Sequence, residues 1–275
     1  MNRKLIYFTF TFLILSLTYL GYKQAITGYL IDKDIDLEGG NLITITFSNP
    51  KYSEILALRD SLERDYNIVA YLTTSLTQTS LSIESTDQNI IELINDINNT
   101  LKIKDYEVSQ VDPKLSEEVL NEIVNGIIFA FMAMAIVIFI IFKTPIPSLG
   151  VVLAAFTNII GTIFLMNILG IKLSLVTFTA LLMLLGYSVD TDILLTTRVL
   201  RQGGKFDEQY RSALKTGLTM TLTSLFALSA ILIVAGYSSV FGKLASVLIL
   251  GLLIDIPSTW IQNAIILDIY KSKYG

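Results

Sequence analysis

Three aspartates stand where a chain this apolar has no ordinary use for charge. Asp190 and Asp192 lie in Leu185-Gly186-Tyr187-Ser188-Val189-Asp190-Thr191-Asp192-Ile193-Leu194, and Asp255 lies in Gly251-Leu252-Leu253-Ile254-Asp255-Ile256-Pro257-Ser258-Thr259-Trp260. Each sits inside a stretch long enough to cross a bilayer, where an ionisable group costs roughly 2.5–3.5 kcal/mol even on lenient scales. A carboxylate kept there either binds and releases a proton or other small cation, or serves as a hydrogen-bonding post between helices. Asp190 is the leading candidate for ion coupling, and Asp192 and Asp255 are the further candidates. Two residues on a helix are about 200° apart, so Asp190 and Asp192 face different ways. Tyr187 precedes Asp190 by one turn on the same side. Arg198, two turns further on, reads as an interfacial anchor, because long basic side chains reach out to the headgroups.

Around Asp255, the polar residues Ser258, Thr259 and Gln262 follow at i+3, i+4 and i+7 in one stripe. Pro257 predicts a kink and a freed carbonyl at Leu253. Thr216, Thr219 and Thr223 share one face of another apolar stretch and read as helix-packing hydroxyls.

Other chemistries are excluded or disfavoured. With no cysteine and no histidine, disulfides, thiolate zinc sites, cysteine nucleophiles and the Ser-His-Asp triad are absent. No Gly-x-x-x-x-Gly-Lys-Ser/Thr loop points to nucleotide hydrolysis. The net charge of −4 disfavours nucleic acid as a partner. An intramembrane aspartyl protease would need two carboxylates sharing a proton. Asp190 and Asp255 could meet across helices, but no protease motif accompanies them. The chain reads as a non-enzyme without cofactor or metal.

The elements that must position these residues are membrane helices. Of the 275 residues 52% are hydrophobic and 16% charged, with a mean hydropathy of +0.61, against about 25% charge in soluble chains. A span needs about 20 apolar residues, and six stretches qualify: 5–22, 122–142, 148–169, 174–196, 216–236 and 244–267. Arg3 and Lys4 precede the first, but its run of about 18 residues exceeds a signal core of 7–15. Gly21-Tyr22-Lys23-Gln24-Ala25 is also a poor cleavage site, so a retained anchor is expected. Arg3, Lys4, Lys143, Arg198, Arg201, Lys205, Arg211, Lys215, Lys271 and Lys273 share one side, while the short opposite loops hold Lys172 and Lys243. By the positive-inside rule both termini are cytoplasmic and residues 23–121 extracytoplasmic.

That outer segment carries 17 acidic and 8 basic residues between Lys23 and Glu118. Strands are expected at 41–47, 67–72, 79–84 and 105–111, and helices at Ser53–Tyr66 and 88–99. The order β-α-β-β-α-β is the ferredoxin-like arrangement. The expected whole is an α-helical polytopic membrane protein of six transmembrane helices. A small α+β ferredoxin-like domain (23–121) falls between the first helix (1–22) and a five-helix bundle (122–275).

Three segments resemble a known family. Asp36-Leu37-Glu38-Gly39-Gly40 resembles the Asp-x-x-Gly-Gly signature of the SecD/SecF export proteins. Gly186-Tyr187-Ser188-Val189-Asp190, with Arg198 downstream, resembles their fourth-span motif, and Lys215 to Ser224 resembles the SecF fifth-span entry. The likeness covers nearly the whole chain and is strongest to the archaeal type of SecF. The bacterial SecF pattern would place its acid at Thr191; here acids flank that position, and Asp190 matches the SecD site instead. Glycines before a strand also simply supply a tight turn with positive φ, which is the structural reading of Gly39 and Gly40.

The resemblance implies membership of the resistance-nodulation-division (RND) superfamily, a complex with SecD, association with the SecY channel, and action on translocating polypeptide at the cell membrane. It also implies use of the proton-motive force through a fourth-span aspartate. The alternative is a self-contained RND-type exporter of lipids or small amphiphiles. That architecture uses two six-span units, so this chain would have to pair with itself.

Overall fold

A computed structural model of the chain describes residues 3–47, 52–66, 69–74, 79–85, 94–95, 97–98, 103–111, 113–201, 205–237 and 239–274. Six helices are long and apolar enough to cross a membrane: Leu5–Thr27, Glu118–Phe142, Pro145–Ile168, Leu175–Arg201, Phe206–Ala235 and Val240–Tyr274. All six expected spans are present, and most run further than the apolar stretch alone. The first helix continues five residues past 22 and ends at Gly28, whose φ of +80° provides a left-handed cap. The second belongs to a helix that already begins at Pro113, so part of the segment expected in the outer domain extends the membrane helix. Polar ends such as Phe206–Lys215 keep helical hydrogen bonding after hydrophobicity stops, which a hydropathy count cannot register.

The third, fourth and sixth spans form the centre of the bundle. Ala155, Ile159, Met166, Ala180, Leu181, Leu184, Val247 and Leu248 are buried in one apolar cluster between them. The second and fifth spans are peripheral, with Phe129, Ile136, Phe226 and Ile233 exposed. The third span opens with Pro145 in its first turn, where a missing N–H costs nothing. The sixth opens at Ser239, whose hydroxyl accepts from the Gly242 N–H at 2.9 Å. Directly after Pro257 it changes to a π-helix over Ser258–Asn263 and then resumes as Ala264–Tyr274. A proline removes one backbone donor and crowds the preceding turn, and the wider π turn begins at the next residue.

The small sheet has four strands, β1 (Gly40–Phe47), β2 (Val69–Thr74), β3 (Thr79–Ser85) and β4 (Ile103–Val111). Their order is β2-β3-β1-β4, and every neighbouring pair is antiparallel. Helix Tyr52–Tyr66 joins β1 to β2 with β3 lying between them, a split βαβ unit. Alternation sets the buried face: Ile43, Ile45 and Phe47 point into a core with Ile55, Leu58, Leu62, Leu81 and Ile83, while Thr44 and Thr46 point away. Of the expected helix at 88–99, most lies outside the described residues; Ile97 is buried in the same core.

Candidate functional site

Asp255 lies fully buried at the middle of the sixth span. Its carboxylate accepts from the Ser188 hydroxyl at 2.6 Å, the Thr191 hydroxyl at 2.9 Å, the Thr259 hydroxyl at 3.3 Å and the Asn158 amide at 3.4 Å. Three spans therefore converge on one carboxylate. The fourth supplies Ser188 and Thr191, the third Asn158, and the sixth Thr259. Asp192, also fully buried, accepts from the Asn263 amide at 2.8 Å through Oδ1. Its Oδ2 has no hydrogen-bond partner among the described residues.

Thr191 and Asp192 are adjacent, so one turn of the fourth span joins the two acids. Their partners are hydroxyls and amides, and among the described residues no Lys or Arg pairs with either carboxylate. Two buried acids bonded only by neutral groups are costly as a pair of uncompensated charges in the bilayer core, which makes them the candidate site.

Each sequence candidate has a clear place. Asp192 and Asp255 share this site. Asp190 does not: it is exposed on the outside of the bundle, with Gly186 and Tyr187 exposed beside it. Ser188 and Thr191 turn inwards from the same helix. Arg198 spans from the fourth to the fifth helix, donating to the Ser212 hydroxyl and to Thr216 at 3.1 Å. Thr219 and Thr223 donate back to Lys215 and Thr219 carbonyls at 2.7 Å. Of the stripe after Pro257, Thr259 reaches Asp255, and Gln262 donates to Thr157 at 3.1 Å.

Asn158, Thr191 and Asn263 complete the site and were not singled out by the charge pattern. They are neutral polar residues within the spans; scanning for amides as well as acids finds Asn158 and Asn263, and Thr191 is the position between the two fourth-span acids.

The Asp36–Gly40 segment sits at the opposite, Lys243-bearing end. Gly39 and Gly40 take φ of +81° and +134°, a turn that side chains resist. The chain leading to it is clamped onto the loop between the third and fourth spans. The Asp34 N–H donates to the Leu173 carbonyl, and the Leu173 N–H to the Asp32 carbonyl, both at 2.7 Å. Asp34 pairs with Lys243 at 2.7 Å, and Lys23 with Asp32 at 2.8 Å.

Asp36 is half-buried, and burial first, then neighbouring Asp34, raise its pKa above the ordinary carboxylate value against the opposing pull of Lys243. For an acid so raised, the unfolded chain ionises first as pH climbs, so the folded strap loses stability from the ordinary carboxylate range upwards. Asp36→Asn is therefore expected to raise the melting temperature of the solubilised chain at pH 7 and to change it least near about pH 4. A lower melting temperature at pH 7 would show that the ionised carboxylate is itself a structural partner.

Residues 90–273 match the family model described as Protein export membrane protein SecD/SecF, C-terminal. A protein named Protein-export membrane protein SecF from Methanocaldococcus jannaschii is 38% identical over 95% of this chain and 93% of its own length. One of the same name from Methanolacinia petrolearia is 35% identical over 96% of this chain and 92% of its own. Among solved structures, a translocon-associated SecDF from a Thermus species superposes with a TM-score of 0.72 at 18% identity. The match covers 99% of this chain and spans 39% of that longer one. With six apolar spans in that arrangement and relatives matched nearly end to end, the chain belongs to the SecD/SecF family of protein-export membrane proteins.

Proposed function

We propose that the chain is a SecF-like accessory subunit of the protein-export machinery, a transport component rather than an enzyme, acting with a SecD-type partner to promote polypeptide translocation at the cell membrane. The observation that carries this is the near full-length match to archaeal proteins named for that role. The need for a second six-span unit has its own physical support. Asp190 is exposed at membrane depth, and an ionisable group there is tolerated when another protein covers it. Gly186, Tyr187 and Asp190 form the face on which that unit docks. Both termini lie on the cytoplasmic side, following the basic residues. The ferredoxin-like unit within 23–121 then stands outside, and the bundle 122–275 carries the membrane function. Asp192 and Asp255 bind the ion, with the proton-motive force as the energy source.

Gentle solubilisation of the native membrane and capture of this chain tests the reading. A second six-span protein with a larger outer domain, accompanied by SecY-channel subunits, is the expected result. Asp190→Leu should lower the yield of that partner severalfold. A pure homo-oligomer without channel subunits would overturn protein export in favour of an exporter of lipids or small amphiphiles.

A further inference from the structure

Polar groups inside the central three spans are distributed unevenly about Asp255. Towards the Lys243 end, the fully buried hydroxyls all bond to protein. Thr162 donates to the Asn158 carbonyl at 2.7 Å, Ser246 to the Gly242 carbonyl at 2.8 Å, and Thr177 bonds with Ser174. Between these hydroxyls and the acids Leu181, Leu184 and Leu248 close the interior, with Met166 packed behind them. Gly251 lets this plug seat, since a Cβ there would come within 2.2 Å of Leu184.

Towards the other end Ser258 still bonds backbone at 3.1 Å, but most of the buried oxygens do not. Asp192 Oδ2, Asn263 Oδ1, Thr196 Oγ1, Ser148 Oγ and Thr144 Oγ1 are all buried and have no partner among the described residues. They follow one another in depth. Asn263 bonds Asp192, and its Oδ1 lies against Gly150 of the third span, 2.9 Å from where a Cβ would be. Thr196 is one turn below Asp192 on the same helix face. Ser148 lies one turn inside Thr144, where the third span begins. At 1.5 Å per residue the file descends about 13 Å from Asp192 to the end of the fourth span at Arg201. There Arg201 donates to the Ile141 carbonyl at 3.1 Å, and Lys271 to the Val199 carbonyl at 3.1 Å.

A buried hydroxyl left unbonded costs about 1–3 kcal/mol, and a row of them in one polar seam is the setting in which water enters a protein interior. We infer that these oxygens line a hydrated half-channel, through which the acid pair exchanges its ion only with the membrane face bearing Lys143, Arg201 and Lys271. This rests on the reading that Asp192 and Asp255 hold the ion, and it adds the side from which they load in this conformation. The path to the opposite face is shut by the leucine plug.

The absence of cysteine makes the full-length chain a ready background for reporters. Thr196→Cys and Ser148→Cys probe the file, and Leu184→Cys and Leu248→Cys probe the plug. Each is exposed in native membrane vesicles of either orientation to a charged, membrane-impermeant methanethiosulfonate. The modified fraction is then read by mass spectrometry.

The file positions should react at least tenfold faster than the plug positions, and only from the Lys143 face. Equal rates at Thr196→Cys and Leu184→Cys, or faster reaction from the Lys243 face, would overturn the half-channel. Thr144→Cys, at the mouth, replaces any file reporter that fails to elute like the parent on gel filtration. The labelling is independent of which proteins co-purify, so a failed export reading and a failed half-channel give different results.

Discussion

Asp255→Asn is expected to abolish the dependence of transport on the transmembrane ion gradient while the chain remains folded and inserted. The carboxamide has nearly the shape of the carboxylate and keeps one oxygen to accept from Ser188 and Thr259, which bond the native side chain at 2.6 and 3.3 Å. Lost is the negative charge, and with it the ability to bind and release a cation. Asp192→Asn should do the same, and the double variant should be no worse than either single one, because groups acting as a unit are not additive. A loss of at least tenfold in gradient-stimulated translocation, measured in inverted vesicles with and without uncoupler, is the expected size.

Asp190→Asn separates two readings of the family motif. From the sequence, Asp190 is the foremost coupling residue. Its exposed position predicts instead that the substitution acts through partner recovery, which Asp255→Asn leaves unchanged. Full gradient dependence in both Asp192→Asn and Asp255→Asn, with loss in Asp190→Asn, would return the coupling role to the outer face. Asp255→Leu is a harsher change. It strands the Ser188, Thr259 and Asn158 donors in the bilayer core, each costing about 1–3 kcal/mol if left unbonded, while Thr191 keeps the Ser188 carbonyl at 2.8 Å, so a loss of folded protein is expected.

Gly217→Ala is expected to be strongly destabilising for the addition of a single methyl. A Cβ at this position would lie 2.1 Å from Cζ2 and 2.7 Å from Cη2 of Trp260. The indole cannot retreat. It is only 3% exposed, packs edge-on against Tyr210, and belongs to the cluster of Leu195, Val199, Ala213 and Leu267. Tyr210 also donates to the Trp260 carbonyl at 3.0 Å, tying the fifth span to the π turn. The fifth span must therefore move away from the sixth, and overpacking of this kind costs about 1–3 kcal/mol or somewhat more.

The π turn holds Thr259 and Asn263, which bond the two acids, so transport should fall along with stability. Thermal unfolding in detergent checks the first effect. A second substitution, Trp260→Leu, should recover part of the loss in the Gly217→Ala background while destabilising the parent, a coupling that a double-mutant cycle measures. Unchanged stability in Gly217→Ala would mean the two helices are not in contact at this point.

The six spans, the stretches that form strands in the small sheet and the presence of costly acids in the fourth and sixth spans were all legible in the sequence. Those features follow from local rules. Apolar length sets a membrane helix, alternation sets a strand's buried face, and a carboxylate in an apolar stretch is conspicuous wherever it points. The chain's membership in its family was legible from Asp36-x-x-Gly39-Gly40 and from Gly186-Tyr187-Ser188-Val189-Asp190 for the same reason.

Which acids belong together depended on how the helices pack. Asp190 and Asp192 are two residues apart and differ by helix rotation alone. Which of them faces inwards depends on how the third, fourth and sixth spans pack around Ala155, Leu184 and Val247. Asn158 and Asn263 lie 97 residues before and 71 residues after their respective partners. The π turn after Pro257 sets the angle from which Thr259 and Asn263 approach. A bond between helices so distant in sequence has no local signature, because its energy comes from satisfying a buried polar atom that local sequence does not show to be buried.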